Sequence, residues 1–239
     1  MQLIFILIAT TMSFTIALSA NSAILQSYFH PPIYLDPNIS YVVGLTNFET
    51  FNAIPNIDKS NNKVYFGKYN EFLTIPTGSY EIDDVNKYLQ SEFQKRNISF
   101  QLYANNNTLK STIKTSTDII FNDGTIGKIL GFNNGTILGN EIPQISENPA
   151  EIIKVNSLCI DCSIAEGSYL NGKPVHIIHQ FFPNVSPGFK IIESPQNIIY
   201  FPVTVKTIDK ITIKIVDQDF NIVDFRNENV TIRLHIKEV

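Results

Sequence analysis

Apolar and polar residues alternate along much of the chain, the period-two signature of strands half-buried on one face. Near the start, Phe14, Ile16 and Leu18 alternate with Ser13, Thr15, Ala17 and Ser19, which predicts a first strand over about residues 13–19. Residues 40–45, 63–69, 71–75 and 118–121 read as further short strands, punctuated by Pro, Gly and Asn. Residues 98–103 and 108–115 read as a hairpin turning at Asn105-Asn106-Asn107, because Asn tolerates positive φ. The second half is more strongly β: residues 152–164, 175–181, 190–192, 198–205, 211–216, 223–225 and 230–236 are all strand-like.

One segment carries the helical period. Val85, Tyr88, Leu89 and Phe93 fall at i, i+3, i+4 and i+8, one apolar stripe. Asp83 or Asp84 can cap its first N–H groups, Lys95-Arg96 suits its C-terminal dipole, and Asn97 ends it. Residues 125–130 predict one helical turn stopped by Gly131. No repeat and no low-complexity linker divides the chain. The expected fold is all-β: a single jelly-roll β-sandwich with one inserted amphipathic helix and short helical turns. Residues 1–12 would be an apolar N-terminal arm or a start-site extension, and residues 13–239 one jelly-roll domain with insertions.

The N-terminus reads two ways. Residues 3–20 are uncharged and apolar enough for a signal peptide ending at Leu18-Ser19-Ala20, but no Lys or Arg precedes Lys59, so the basic n-region is missing. Thr10, Thr11, Ser13, Thr15 and Ser19 interrupt the run, which argues against a membrane span. The alternation favours a strand. Sequons at Asn38, Asn97, Asn106, Asn134, Asn184 and Asn229 would accept glycans in a secreted protein. In a chain rich in Asn, Ser and Thr, chance supplies such triplets.

Composition narrows the classes. Hydrophobic residues reach 44%, enough for a sizeable core, while charged residues are only 17%. So few charges fit either a surface covered by partners or one rich in Asn, Ser and Thr. A net charge of -4 with scattered basic residues argues against a face that neutralises phosphates, so no direct nucleic-acid binding is expected. Two cysteines provide no disulfide framework, and 17 Phe and 10 Tyr without Trp suit strands.

Catalytic and metal chemistry find little support. Cys159-x-x-Cys162 with His176 and His179 formally offers four zinc ligands, but three-residue spacing on extended chain sends the paired side chains to opposite faces. Buried thiols and strand-end histidines are the simpler reading. No helix N-terminus is evident to activate the thiols. Asp217 and Asp219 flank a loop that lacks a third acidic ligand and the glycine of a calcium loop. Asp83-Asp84 reads as a cap. No nucleophile-elbow, zincin or phosphate-loop motif occurs. No cofactor, metal or enzymatic activity is expected.

Several segments together resemble a known family. SAILQSYFHPPIYLDPNISYVVGLTNFETFNAIPNI (residues 22–57) and TIPTGSYEIDDVNKYL (74–89), then ANNNTLKSTI and TIGKILGF, are similar to capsid proteins of Maverick/Polinton elements and adintoviruses. So are residues 167–205 and 213–236, and the likeness spans about residues 12–239. One departure is Phe220-Asn221, where a Gly-containing turn is expected after Asp217-Gln218-Asp219. The resemblance implies a jelly-roll fold and a structural virion role. Two stacked rolls are hard to fit in 239 residues, so length favours the penton-like minor capsid protein over a half-length relative of the major capsid protein. It also suggests that residues 1–11 are an extension, or Met12 the true start.

Under that reading the function is self-assembly at capsid vertices, as a homopentamer meeting the major capsid protein, with the chain located in the virion. A five-fold ring uses a heterologous interface that closes. The expected interface lies in two apolar, Pro-rich loops, with Tyr28, Phe29, Pro31 and Pro32 in one and Phe181, Phe182, Pro183 and Phe189 in the other. Equally, the phenylalanines could plug the ends of the sandwich. The main rival is a secreted or surface β-sandwich binding module with a cleaved signal and N-glycans. An enzyme on a sandwich scaffold is the third class.

Overall fold

The computed structural model describes residues 12–69 and 71–239. The expected arm therefore lies outside the described residues, except for Met12. Three long strands come first: β1 (Ser13–Ala20), β2 (Ile24–Tyr34) and β3 (Tyr41–Phe51). Seven short strands follow, β4 (Lys63–Phe66), β5 (Glu71–Thr74), β6 (Phe100–Asn105), β7 (Lys110–Thr115), β8 (Ile119–Phe121), β9 (Gly135–Ile137) and β10 (Gln144–Ile145), with helix α1 (Ile82–Gln94) after β5. The last eight are β11 (Leu158–Cys162), β12 (Ser168–Leu170), β13 (Lys173–Val175), β14 (Ile177–Phe181), β15 (Lys190–Glu193), β16 (Phe201–Pro202), β17 (Thr207–Val216) and β18 (Val230–Glu238).

The chain divides into two compact units, one made of the residues up to Asn52 together with Asn156–Val239, the other of Ala53–Val155. The first unit holds two antiparallel sheets, ordered β1-β18-β3-β15 and β14-β11-β17-β2, with β16 beside β3. Number its eight main strands along the chain. One sheet then reads first, eighth, third, sixth, and the other fifth, fourth, seventh, second. That is the connectivity of a jelly roll. The expected all-β sandwich is present, and the expected insertions lie in one block between the third and fourth strands.

Alternation explains which residues make this core. Strand β1 pairs with β18 from Ser13↔Lys237 to Ala20↔Val230, which points Ile16, Leu18, Ile232, Leu234 and Ile236 to one face, all of them buried. Leu158, Ile160 and Cys162 of β11 and Ile211, Ile213 and Ile215 of β17 do the same in the other sheet. Phe48 is fully buried, with ring centroids 5.1 Å from Phe181 and 6.4 Å from Phe225. On the opposite face of its sheet, Gly44 is covered by residues 198–200. A Cβ there would stand 2.5 Å from Ile198 Cγ2 and 2.9 Å from the Ile199 carbonyl oxygen.

The second unit has its own core. Val85, Leu89 and Phe93 of α1 pack with Ile57, Val64, Phe66, Phe100, Leu102, Ile113 and Ile119. Its two sheets run β5-β4-β8-β9 and β10-β7-β6. Its ends are tied together by Asn56, whose side-chain amide donates to the carbonyls of Tyr80 at 2.7 Å and Ile152 at 3.0 Å and accepts from the Tyr80 N–H at 2.9 Å. Lys154 pairs with Asp58 beside it.

Several sequence expectations change. The helix is capped by Glu81 rather than by Asp83 or Asp84 alone, with Asp84 returning to the Glu81 N–H in a capping box. The hairpin turn holds Asn105, which accepts from the N–H groups of Asn107 and Thr108, but the positive φ falls on Leu109 at 57°. The strand expected over 152–164 is only β11, since the boundary between units lies at 155/156. Of 198–205, only Phe201–Pro202 pairs as a strand, because the preceding residues lie across Gly44. Residues 223–225 form no strand.

Candidate subunit interface

The expected interface residues fall into three situations. Tyr28, Phe29, Pro31 and Pro32 are not in a loop. They lie in β2, the edge strand of its sheet. Proline lacks the ladder donor, so it is tolerated at an edge. The register with β17 breaks here: Tyr28 faces Lys210 and Ile33 faces Ile208, so residues 29–32 bulge against Asp209 alone. Tyr28 is 61% exposed, with the Lys210 ammonium 5.2 Å from its ring centroid. Phe29 and Pro32 are half-buried and Pro31 is exposed.

Phe181 is the correction. It is 7% exposed and packs against Phe48, so it belongs to the core. The alternation of β14 turns one phenylalanine inward and sends the next out. Phe182 is 69% exposed and Phe189 66%, at the two feet of the connection from β14 to β15, while Pro183 is half-buried. Asn52 fastens that connection, donating its backbone N–H to the Phe189 carbonyl at 2.8 Å and its amide to the Val185 carbonyl at 2.7 Å.

Two neighbours escape a search for Pro-rich loops. Phe51 and Ile192 are exposed and lie on the same face of their sheet, where Phe51 faces Lys190 and Ile192 faces Glu49. Lys190 and Glu49 form an ion pair between them. The outward phase of β3 and β15 would have found both. Exposed Ile24 and Tyr34 likewise extend the β2 group. Large exposed apolar side chains thus sit on both lateral margins of the sandwich: along β2, and around β15 with the end of β14.

His179 and His235 are held in side-chain hydrogen bonds within this unit. His179 Nε2 lies 2.9 Å from Glu193 Oε1, joining edge strand β14 of one sheet to edge strand β15 of the other. Ser13 Oγ, His235 and Tyr200 form a hydrogen-bonded line, 2.6 Å at Nε2 and 2.7 Å at Nδ1, with the Lys237 ammonium 4.2 Å from the Tyr200 ring centroid. The line clasps β1, β18 and residue 200 together.

The cysteines do not converge on an ion. Cys159 faces Val216 in the register and Cys162 faces Ile213, so they point to opposite faces. Burial raises both thiols, Cys162 to about 11. The Asp217 carboxylate accepts the backbone N–H groups of Asp219 and Asn221, both at 2.9 Å, and so shapes its own loop. Among the described residues, no group of three or more His, Cys, Asp or Glu is placed to hold a metal, and no helix is long and apolar enough to cross a membrane.

No protein-family model matches the chain, and no curated protein matches it. Among solved structures, the chain is similar to the selenomethionine-labelled mavirus penton protein, with a TM-score of 0.51 and 11% identity. The match covers 96% of this chain and 100% of that one. The fold is therefore that of a β-sandwich jelly roll like the penton protein.

Proposed function

We propose that the chain is a structural capsid subunit of the penton type, belonging to the Maverick/Polinton and adintovirus lineage that its sequence resembles. It assembles as a homopentamer at capsid vertices and meets a major capsid protein there. The observation that carries this reading is the jelly-roll strand order of the first unit, together with a fold similarity to the mavirus penton protein that covers 96% of the chain. The exposed apolar groups fit the assembly role. Tyr28 on one margin and Phe182 and Phe189 on the other supply the two unlike patches that a closed heterologous ring requires. Tyr and Phe bury large areas at modest entropy cost, which suits them as anchors.

A pentameric mass for the purified chain, and its entry into particles formed with a major capsid protein, test the reading. A chain that stays monomeric at high concentration and never enters particles contradicts it. One observation keeps the secreted binding module in view: all six sequon asparagines are exposed. A mobility shift on glycosidase treatment of the chain made in its host cell would favour that rival.

A further inference from the structure

Among the described residues, β12 and β13 pair only with each other, so the hairpin belongs to neither sheet of the sandwich. Its turn is Asn171-Gly172, with φ of 51° and 77°, the left-handed pair of a tight two-residue hairpin. Beneath it, on the outward face of the β11 sheet, Cys159, Ile177 and Val216 form a small buried cluster. Leu170 and Val175 of the hairpin pack on that cluster while still partly exposed, and Tyr169, Lys173 and Pro174 face solvent. The hydrogen bond from Ser168 Oγ to the Val175 carbonyl is internal to the hairpin. Fixed points bracket it. Glu166 donates to the Pro202 carbonyl just before Gly167, whose φ is 96°, and Cys162 donates to the His176 carbonyl just after Val175.

We infer that the β12–β13 hairpin is a flap that swings off as one piece between Gly167 and His176 while the sandwich stays folded, uncovering Cys159, Ile177 and Val216. Opening costs the flap its contacts with this cluster but breaks no sheet ladder. Local opening of such a unit lies well below the cost of global unfolding. Cys162, on the core side of the same strand, stays sealed. The two thiols therefore report two different openings in one molecule.

The test is labelling of the full chain by 5,5′-dithiobis(2-nitrobenzoate), with each site read by mass spectrometry. Cys159 should react at least about tenfold faster than Cys162, at a rate nearly flat in low urea, while Cys162 follows the slope of global unfolding. L170A should speed Cys159 labelling by about tenfold while its rate stays nearly flat in low urea; Cys162 quickens only as far as the variant's loss of global stability and keeps its steep slope. Equal rates with equal urea slopes at both thiols in the unaltered chain would overturn the inference, whether or not the variant folds. A urea slope at Cys159 as steep as that at Cys162 would overturn it too.

Discussion

Neighbouring residues of similar chemistry do opposite work in this chain, and the phase of a strand decides which. Phe181 stacks in the core while Phe182, one residue on, stands in solvent. Phe181→Ala should therefore cost about 3–5 kcal/mol of stability in urea titration, whereas Phe182→Ala should stay within about 0.5 kcal/mol and weaken assembly instead. A similar stability loss from both would contradict the placement. Phe220 illustrates a second kind of residue argument. The resemblance to the capsid family implies a glycine-containing turn here, and Phe220 does carry a φ of 64°. Phe220→Gly should raise stability by up to about 1 kcal/mol, because glycine adopts that conformation without Cβ strain. At Asp58, burial works against the carboxylate, but the hydrogen bonds from Lys154 and Ser60 outweigh it, and the pKa is lowered. The stability it contributes is present above the ordinary carboxylate range and is lost as pH falls through the lowered value. Asp58→Asn should thus remove part of the acid-induced loss of stability in thermal melts taken from about pH 6 down to about pH 2, a span that brackets the unperturbed carboxylate value of about 4.

At the scale of elements, β1 is where sequence and structure agree most usefully. Its alternation alone predicts a strand, and the strand closes one sheet against β18. Cleavage after Ala20 would remove Ile16 and Leu18 from the core and leave β18 as a bare edge. A chain starting at Asn21 should fail to accumulate as folded protein, unlike the full chain. Equal melting of the two would show β1 to be dispensable. The α1 stripe and the Asn105 turn were likewise legible, since their signals are local. The β2 prolines misled because Pro31 and Pro32 mark a loop in most contexts, and only tertiary placement shows that they occupy an edge. The Asn171-Gly172 turn carried a strong hairpin signal that strand alternation overshadowed. Residues 152–164 read as one strand because apolar residues recur on both sides of Lys154 and Asn156-Ser157, where the chain passes from one unit to the other.

For the whole molecule, the division into two units could not be read from composition. Both units draw on the same Ile, Phe and Asn-rich vocabulary, and no linker separates them. What marks the inserted unit as a body of its own is its closed core and the way Asn56 binds its two ends. The jelly roll itself depends on long-range pairings such as β1 with β18, which no local pattern announces. Strand order and the likeness to the mavirus penton protein fix the fold, and the assembly role is the reading built upon it. Native mass spectrometry of the purified full chain tests that role most directly. The account predicts a five-subunit species that falls to monomer when Tyr28, Phe182 and Phe189 are replaced by Ser, with the fold intact. A monomer at every concentration, or a pentamer indifferent to those three changes, would contradict it.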